Sequence, residues 1–388
     1  MRKRLARQLA EARSERERRH RQRRRQTVEV VGPGLQVRVD GQRLIDFCSN
    51  DYLGFGHEVP EGSQQRSSAS SSPLVCGHGP IHGELEARLA EFLGTGACAL
   101  FPSGYQANLA VGQALGQRGQ AALADRLNHA SLNDGLRLAG SRILRYAHAD
   151  ARAAAERWRP ECRLLVTDSV FSMDGDLAPL AELAELVDAR DLAFWVDDAH
   201  GFGVLGTEGR GAVEACGLEP DRVDVLVITF GKALGTAGAV VAGDPALIEH
   251  LENEARGLIY STGLAPALAE WTLHKLVRLQ REPQRRERLR AHIERFRDGC
   301  ARAGVALSDS STPIQILPLG GDQRALALAE QLQQAGFLIR AIRPPTVPEG
   351  SARLRITLSS EHSPQDIDRL CATLGQLTEA HPGTDSLH

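Results

Sequence analysis

From about residue 39 to residue 275 short apolar runs alternate with helical stretches, and this alternation limits most what the chain can fold into. Strand-like runs stand at 97–101, 121–125, 163–168, 193–198, 223–229 and 237–242, with helical patterns such as 83–93, 104–117 and 178–190 in the gaps. Strands separated by helices of roughly 10–15 residues build βαβ units and a mostly parallel sheet. In open sheets of this kind ligands sit beyond the carboxyl ends of the strands. Polar residues just after each strand are therefore the candidate site residues.

A long charged helical region follows at about 266–300, then strands at 313–317, 336–342 and 353–358 with a helix at 323–335. The expected organisation is a basic helical arm (1–38), a large α/β domain (39–275) and a smaller α+β C-terminal domain (276–388). With 42% hydrophobic and 24% charged residues, the composition is that of a globular protein. No uninterrupted apolar run approaches the ~18 residues of a membrane span, and the arginine-rich N-terminus has no apolar signal region. The seven cysteines are widely spaced without a C-x-x-C pair, so they read as reduced thiols in the cytoplasm.

Charge is uneven. Residues 1–25 carry twelve Lys/Arg against three Glu, so a net −3 chain has a strongly basic arm. Such an arm could bind nucleic acid, but no aromatics interleave with the arginines, and Leu5, Leu9 and Ala12 fall at helical spacing. A solvated helix that caps the fold and lends an arginine to an anionic ligand is the reading preferred here. Among 46 basic residues only Lys3, Lys232 and Lys275 are lysines. Only lysine supplies an amine that can deprotonate and attack a carbonyl, so each survivor invites a chemical reading beside that of an accident of composition.

Lys232 lies in I-T-F-G-K-A-L-G (228–235), directly after an apolar strand and among small residues. A Schiff-base lysine fits there, as does a phosphate-binding one. Asp197, Asp198 and His200 follow the strand Ala193-Phe194-Trp195-Val196. An acid at a buried strand end can keep a pyridine nitrogen protonated. A metal site is the rival reading of D-D-A-H, but no other His/Asp/Glu cluster has ligand spacing, so no metal is expected. Ser103-Gly104-Tyr105 reads as a turn opening a helix, whose N-terminal N–H groups suit a phosphate. His129 follows another strand among polar neighbours that favour a ring lying on a flat ligand. Ser172 and Asp174 add a hydroxyl and an acid. A lysine, an acid, two histidines, a phosphate turn and hydroxyls after successive strands together suit pyridoxal 5′-phosphate (PLP).

Longer stretches carry a resemblance. S-N-D-Y-L-G (49–54), S-G-Y-x-A-N (103–108), N-H-A-S-L (128–132), F-S-M-D-G-D (171–176), V-D-D-A-H-G (196–201), T-F-G-K (229–232), Y-S-T (260–262), I-R-P-P-T-V-P (342–348) and A-R-L-R (352–355) resemble the PLP-dependent α-oxoamine synthase family of fold type I. The resemblance covers essentially the whole chain. It implies that Lys232 forms the Schiff base, Asp197 pairs with the ring nitrogen, His200 contacts the phenolic oxygen and His129 stacks on the ring. It implies that Gly104, Tyr105, Ser172 and Thr229 hold the cofactor, with Thr262 reaching a phosphate across a homodimer interface. Arg23, Arg343 and Thr346 become carboxylate or acyl-substrate contacts. The implied reaction is decarboxylative condensation of L-alanine with a pimeloyl thioester on CoA or acyl carrier protein.

Two departures bear on acyl-substrate fit. The family's glycine-rich loop reads S-S-A-S-S-S at 67–72 with Pro73 after it, and the acid before V-F-S-M is Asp168 where the family carries glutamate. A sister reaction using glycine or serine with another acyl-CoA, and a non-catalytic scaffold of the same fold, remain the alternatives at this stage.

Overall fold

The six strand-like runs form strands, and a computed structural model describes residues 2–379 of the chain apart from 20, 24, 33–34 and 59–64. Packing separates two units. One comprises Asn50–Ser172 and Asp176–Arg288; the other comprises Met1–Ser49, Met173–Gly175 and Leu289–His388.

The unit from Asn50 holds a seven-stranded sheet in the order Ala97–Phe101, Ala239–Gly243, Val225–Thr229, Ala193–Asp197, Cys162–Asp168, Ala121–Asp125 and Arg142–Tyr146. The last five run parallel, and Ala239–Gly243 is antiparallel to both neighbours. Parallel strands covered on both faces need continuous apolar runs, which is what A-A-L-A, L-L-V and V-L-V-I supply. Trp195 and Phe101 are fully buried in the core, with Val166, Val227 and Leu251.

Arg142–Tyr146 was not among the expected strands. It carries Arg142 and Arg145, exposed charges that suit a sheet edge and break the apolar run. The expected helix at 83–93 begins earlier, at Pro80, since proline is tolerated at the first helical position, and stops at Gly94 with φ 72°. The charged region at 266–300 is two helices, Pro266–Arg281 and Gln284–Arg302. Pro283, which has no backbone N–H to donate, separates them.

In the other unit Ile314–Gly320, Ala352–Thr357 and Arg340–Ile342 form an antiparallel sheet. The run expected as one strand at 336–342 is divided. Phe337–Leu338 instead pairs parallel with Gln42–Asp46, in a sheet with Gln36–Val39 and Glu29–Val30. The helix expected in the basic arm forms over Lys3–Arg18 but buries no residue, and Leu5 and Leu9 stay about half exposed at 48% and 49%. No helix among the described residues is long and apolar enough to cross a membrane.

Candidate active site

The strand Ala193–Asp197 delivers Asp197, 4% exposed, to the carboxyl edge of the parallel sheet. Its Oδ1 accepts the Ala199 N–H at 3.0 Å, and its Oδ2 accepts Asn108 Nδ2 at 2.6 Å. Asn108, buried on helix Gly104–Leu115, gives its other amide hydrogen to Ser131 Oγ at 2.9 Å. The Ser131 oxygen lies 2.6 Å from His129 Nδ1. A serine that accepts from the amide has its own hydrogen left for His129 Nδ1, so the neutral ring carries its proton on Nε2. Burial holds the His129 pKa below the usual range, Asp197 opposes this, and the charge of Lys232 adds to it.

His129 is fixed from its backbone too. Its N–H donates to Asp168 Oδ2 at 2.6 Å, while the Asp168 N–H donates to Asn128 Oδ1 at 3.1 Å. Burial, with the neighbouring Asp197 carboxylate, pushes the Asp168 carboxyl well above its ordinary value. Asp198 turns away from this rim. It accepts from Ser169 Oγ and from the Ala212 N–H, and burial brings its carboxyl up to about 7. Asp197 therefore faces the site, and Asp198 closes the turn behind it. Among the described residues no group of His, Cys, Asp and Glu could hold a metal ion.

His200 Nδ1 lies 2.6 Å from the hydroxyl of Tyr52, which is itself fully buried and 3.2 Å from Asn50 Oδ1. Gly104 opens its helix after Ser103, whose side chain accepts the Gln106 N–H. A Cβ at Gly104 would stand 2.2 Å from Thr229 Cγ2, so only glycine lets Thr229 approach the helix N-terminus. The Thr229 hydroxyl is buried with no hydrogen-bond partner among the described residues. Tyr105 packs its ring edge-on to His129 at 6.2 Å and donates to Asp134.

Lys232 sits, half-buried, in the turn after Val225–Thr229. The Gly235 N–H closes that turn onto the Lys232 carbonyl at 2.9 Å. The Gly235 carbonyl in turn accepts from Lys275 Nζ at 3.0 Å. The second internal lysine is thus an anchor of the turn that presents the first. Burial lowers its pKa, and Asp51 opposes this. Ser172 is half-buried in the same unit, and Thr262 is exposed in the segment where the Gly263 N–H bonds to the Ser71 carbonyl.

Arg23, Arg343 and Thr346 belong to the other unit. Arg23 Nη2 donates to Thr346 Oγ1 at 2.7 Å, and all three line a cavity of about 1190 Å³ whose walls also carry Arg21, Arg25 and Arg340. Asp174 accepts from Arg353. Three residues of the site had been assigned no role from sequence: Tyr52, Asn108 and Ser131. Each stands inside a stretch that carries the resemblance, but a polar residue early in a helix reads as solvent-facing until its burial is seen.

Residues 42–374 match the family described as aminotransferase class I and II. The chain belongs to that family. It is 52% identical over 351 residues to a Methylococcus capsulatus protein named 8-amino-7-oxononanoate synthase, across 87% of this chain and 90% of that one. A serine palmitoyltransferase from S. paucimobilis, solved with a PLP–myriocin aldimine, superposes with a TM-score of 0.86 at 27% identity over 92% of each chain. The 8-amino-7-oxononanoate synthase of Francisella tularensis superposes at 0.75 with 28% identity, over 87% of this chain and 98% of that one. These matches bear out the fold type I class and the resemblance read from the motifs.

Proposed function

We infer that the chain is a PLP-dependent acyltransferase of biotin biosynthesis that condenses L-alanine with a pimeloyl thioester to give 8-amino-7-oxononanoate, CO2 and the free thiol. Relatives at about half identity over most of the chain carry the name of that product. The observation in the structure that best supports the chemistry is the buried chain Asp197–Asn108–Ser131–His129 at the strand ends, close enough to Lys232 for its charge to act on His129.

The residues fit PLP. The orphaned Thr229 hydroxyl and the helix N-terminus at Gly104 make a cradle for a phosphate. When bound, PLP supplies an aldehyde that takes up amines and a ring that accepts the electron pair left at the neighbouring carbon. Lys232 Nζ would hold the cofactor and, once freed by L-alanine, take the proton from its Cα. Asp197, kept in place by Asn108 and the Ala199 N–H, would hold a proton on the ring nitrogen. His200, braced by Tyr52, would face the phenolic oxygen. His129 would cover the ring and present Nε2–H to charge growing on the thioester oxygen. Tyr105 and Ser172 complete the cofactor contacts. Arg23, Arg343 and Thr346 would bind carboxylate, as an arginine-lined cavity favours. In the balance of the reaction a C–C bond forms at the thioester carbon, the C–S bond breaks, and the alanine carboxylate leaves as CO2.

The reading includes a cytoplasmic homodimer with Thr262 at its interface. Seven free cysteines suit a reducing compartment. Leu74, Val75 and Tyr260 leave apolar surface exposed, and the Ser72 hydroxyl bonds to the carbonyls of Leu258 and Ile259 between them. A patch of that kind suits a second copy.

The test is product formation by the PLP-loaded protein from pimeloyl-CoA or pimeloyl carrier protein with L-alanine, glycine or L-serine. Formation of 8-amino-7-oxononanoate with L-alanine is expected. Faster turnover of serine or glycine would favour the serine palmitoyltransferase-like reading, which the superposition at 0.86 keeps in play.

A further inference from the structure

We propose that His148 is a positioning residue: held as an imidazolium between Asp125 and Asp176, it fixes the two loops that carry His129 and Ser172. Its Nδ1 lies 3.0 Å from Asp125 Oδ1 and its Nε2 lies 2.7 Å from Asp176 Oδ2. Carboxylates only accept, so both contacts are hydrogen bonds only when both ring nitrogens carry hydrogen. The side chain is 13% exposed and that of Asp125 is 1% exposed, so water cannot substitute freely for that bond, while the Asp176 side chain stands at the rim, 33% exposed.

Each carboxylate is the hub of a loop. Asp125 ends the strand Ala121–Asp125, and its side chain also accepts the N–H groups of Leu127 at 2.8 Å and Ala149 at 2.7 Å. Its carbonyl accepts the Asn128 N–H at 3.2 Å. The turn that delivers His129 to its helix is thus tied to the segment holding His148. On the other side the Asp176 carbonyl accepts the Phe171 N–H at 3.0 Å, closing the loop that contains Ser172. The Phe171 ring stands edge-on to His148 at 4.3 Å. A single ring therefore spans Asp125, three residues before the N-H-A-S-L stretch, and Asp176, the last residue of F-S-M-D-G-D.

The titratable groups facing the imidazole are Asp125 and Asp176. Tyr146, on the strand leading to it, faces Asp125, and burial raises its phenol. Burial alone would lower the His148 pKa; the bonds and charges of the two carboxylates outweigh it and bring the ring up to about 9. The imidazolium is therefore present at neutral pH and is lost as pH rises through about 9. Nothing in the proposed chemistry uses His148 itself, though its kinetic consequence rests on that chemistry.

The experiment follows the His148 Cε1–H resonance of histidine-labelled holoenzyme through pH 6 to 10, assigned by its absence in His148→Gln, alongside kcat/KM for L-alanine. A midpoint near 9 is expected for the ring. The variant is expected to lose about 10–100-fold in kcat/KM, as displaced reacting groups do, and to lose any alkaline limb near that midpoint. A midpoint near the ordinary ~6.5 overturns the proposal, as does a variant with unchanged kcat/KM. If His148→Gln does not fold, the wild-type titration, assigned by eliminating the other histidines singly, decides alone. If the wild-type protein ignores L-alanine, the reaction reading fails while the titration still tests the clamp.

Discussion

Asn108 Nδ2 lies 2.6 Å from Asp197 Oδ2, which makes one buried amide the link between the acid at the strand end and the histidine across the site. Its second hydrogen goes to Ser131, and Ser131 sets the tautomer of His129. Asn108→Leu removes both bonds at once. Leaving a buried carboxylate short of a donor is expected to cost about 1–3 kcal/mol of stability. The release of His129 is expected to lower kcat/KM about 10–100-fold. Urea unfolding and steady-state kinetics on the same preparation separate the two effects.

Gly104 and Thr229 make a second, reciprocal test. Gly104→Ala puts a methyl 2.2 Å from Thr229 Cγ2, and overpacking of this kind costs about 1–3 kcal/mol. That corresponds to about 5- to 150-fold weaker PLP binding if the strain falls on the phosphate cradle. Adding Thr229→Ser removes the clashing methyl and keeps the hydroxyl, so the double variant is expected to recover most of the affinity. Fluorescence titration with PLP reads all three proteins.

His362 sets an acid limit on stability. It stacks on Phe47 at 3.9 Å, its Nδ1 accepts the Ser359 N–H at 2.9 Å, and its Nε2 donates to the Asp46 carbonyl at 3.0 Å. That pattern requires the neutral ring, and burial lowers its pKa to about 4. An unfolded histidine takes its proton near pH ~6.5. Between those two values the unfolded chain binds more protons, so this contribution is complete above about 6.5 and is lost as pH falls toward 4. Urea midpoints at pH 7 and pH 5 are expected to differ less in His362→Gln than in the wild type.

Trp195 separates volume from polarity in the core. Its ring is fully buried, yet Nε1 has no hydrogen-bond partner among the described residues. Trp195→Phe therefore loses no hydrogen bond within the protein and is expected to cost far less than Trp195→Ala, for which about 3–5 kcal/mol is expected. Equal losses in denaturant unfolding would mean that the indole N–H matters after all.

Much of this was legible because the parallel sheet writes itself as apolar runs. Those runs located six of its strands within two residues at either end and put Lys232, Asp197 and His129 at or just beyond strand ends. What was not legible depends on side chains whose partners lie far along the chain. Arg142–Tyr146 interrupts its apolar residues with two exposed arginines because it is an edge. Phe337–Leu338 is too short to show any period, and its partner Gln42–Asp46 lies near the other end of the chain. Asn108 and His148 look like ordinary polar residues until burial and distance show what they hold. The lysine count pointed at Lys232, but only the bond from Lys275 to the Gly235 carbonyl shows why a second lysine is kept inside.

The most direct measurement is borohydride reduction of the PLP-loaded protein followed by peptide mass mapping, without amine and with L-alanine, glycine or L-serine. The cofactor is expected on the peptide containing Lys232, and L-alanine is expected to displace it before reduction more effectively than glycine or serine. Cofactor fixed on Lys275 or Lys3, no fixation at all, or displacement by serine in preference to L-alanine would contradict the assignment.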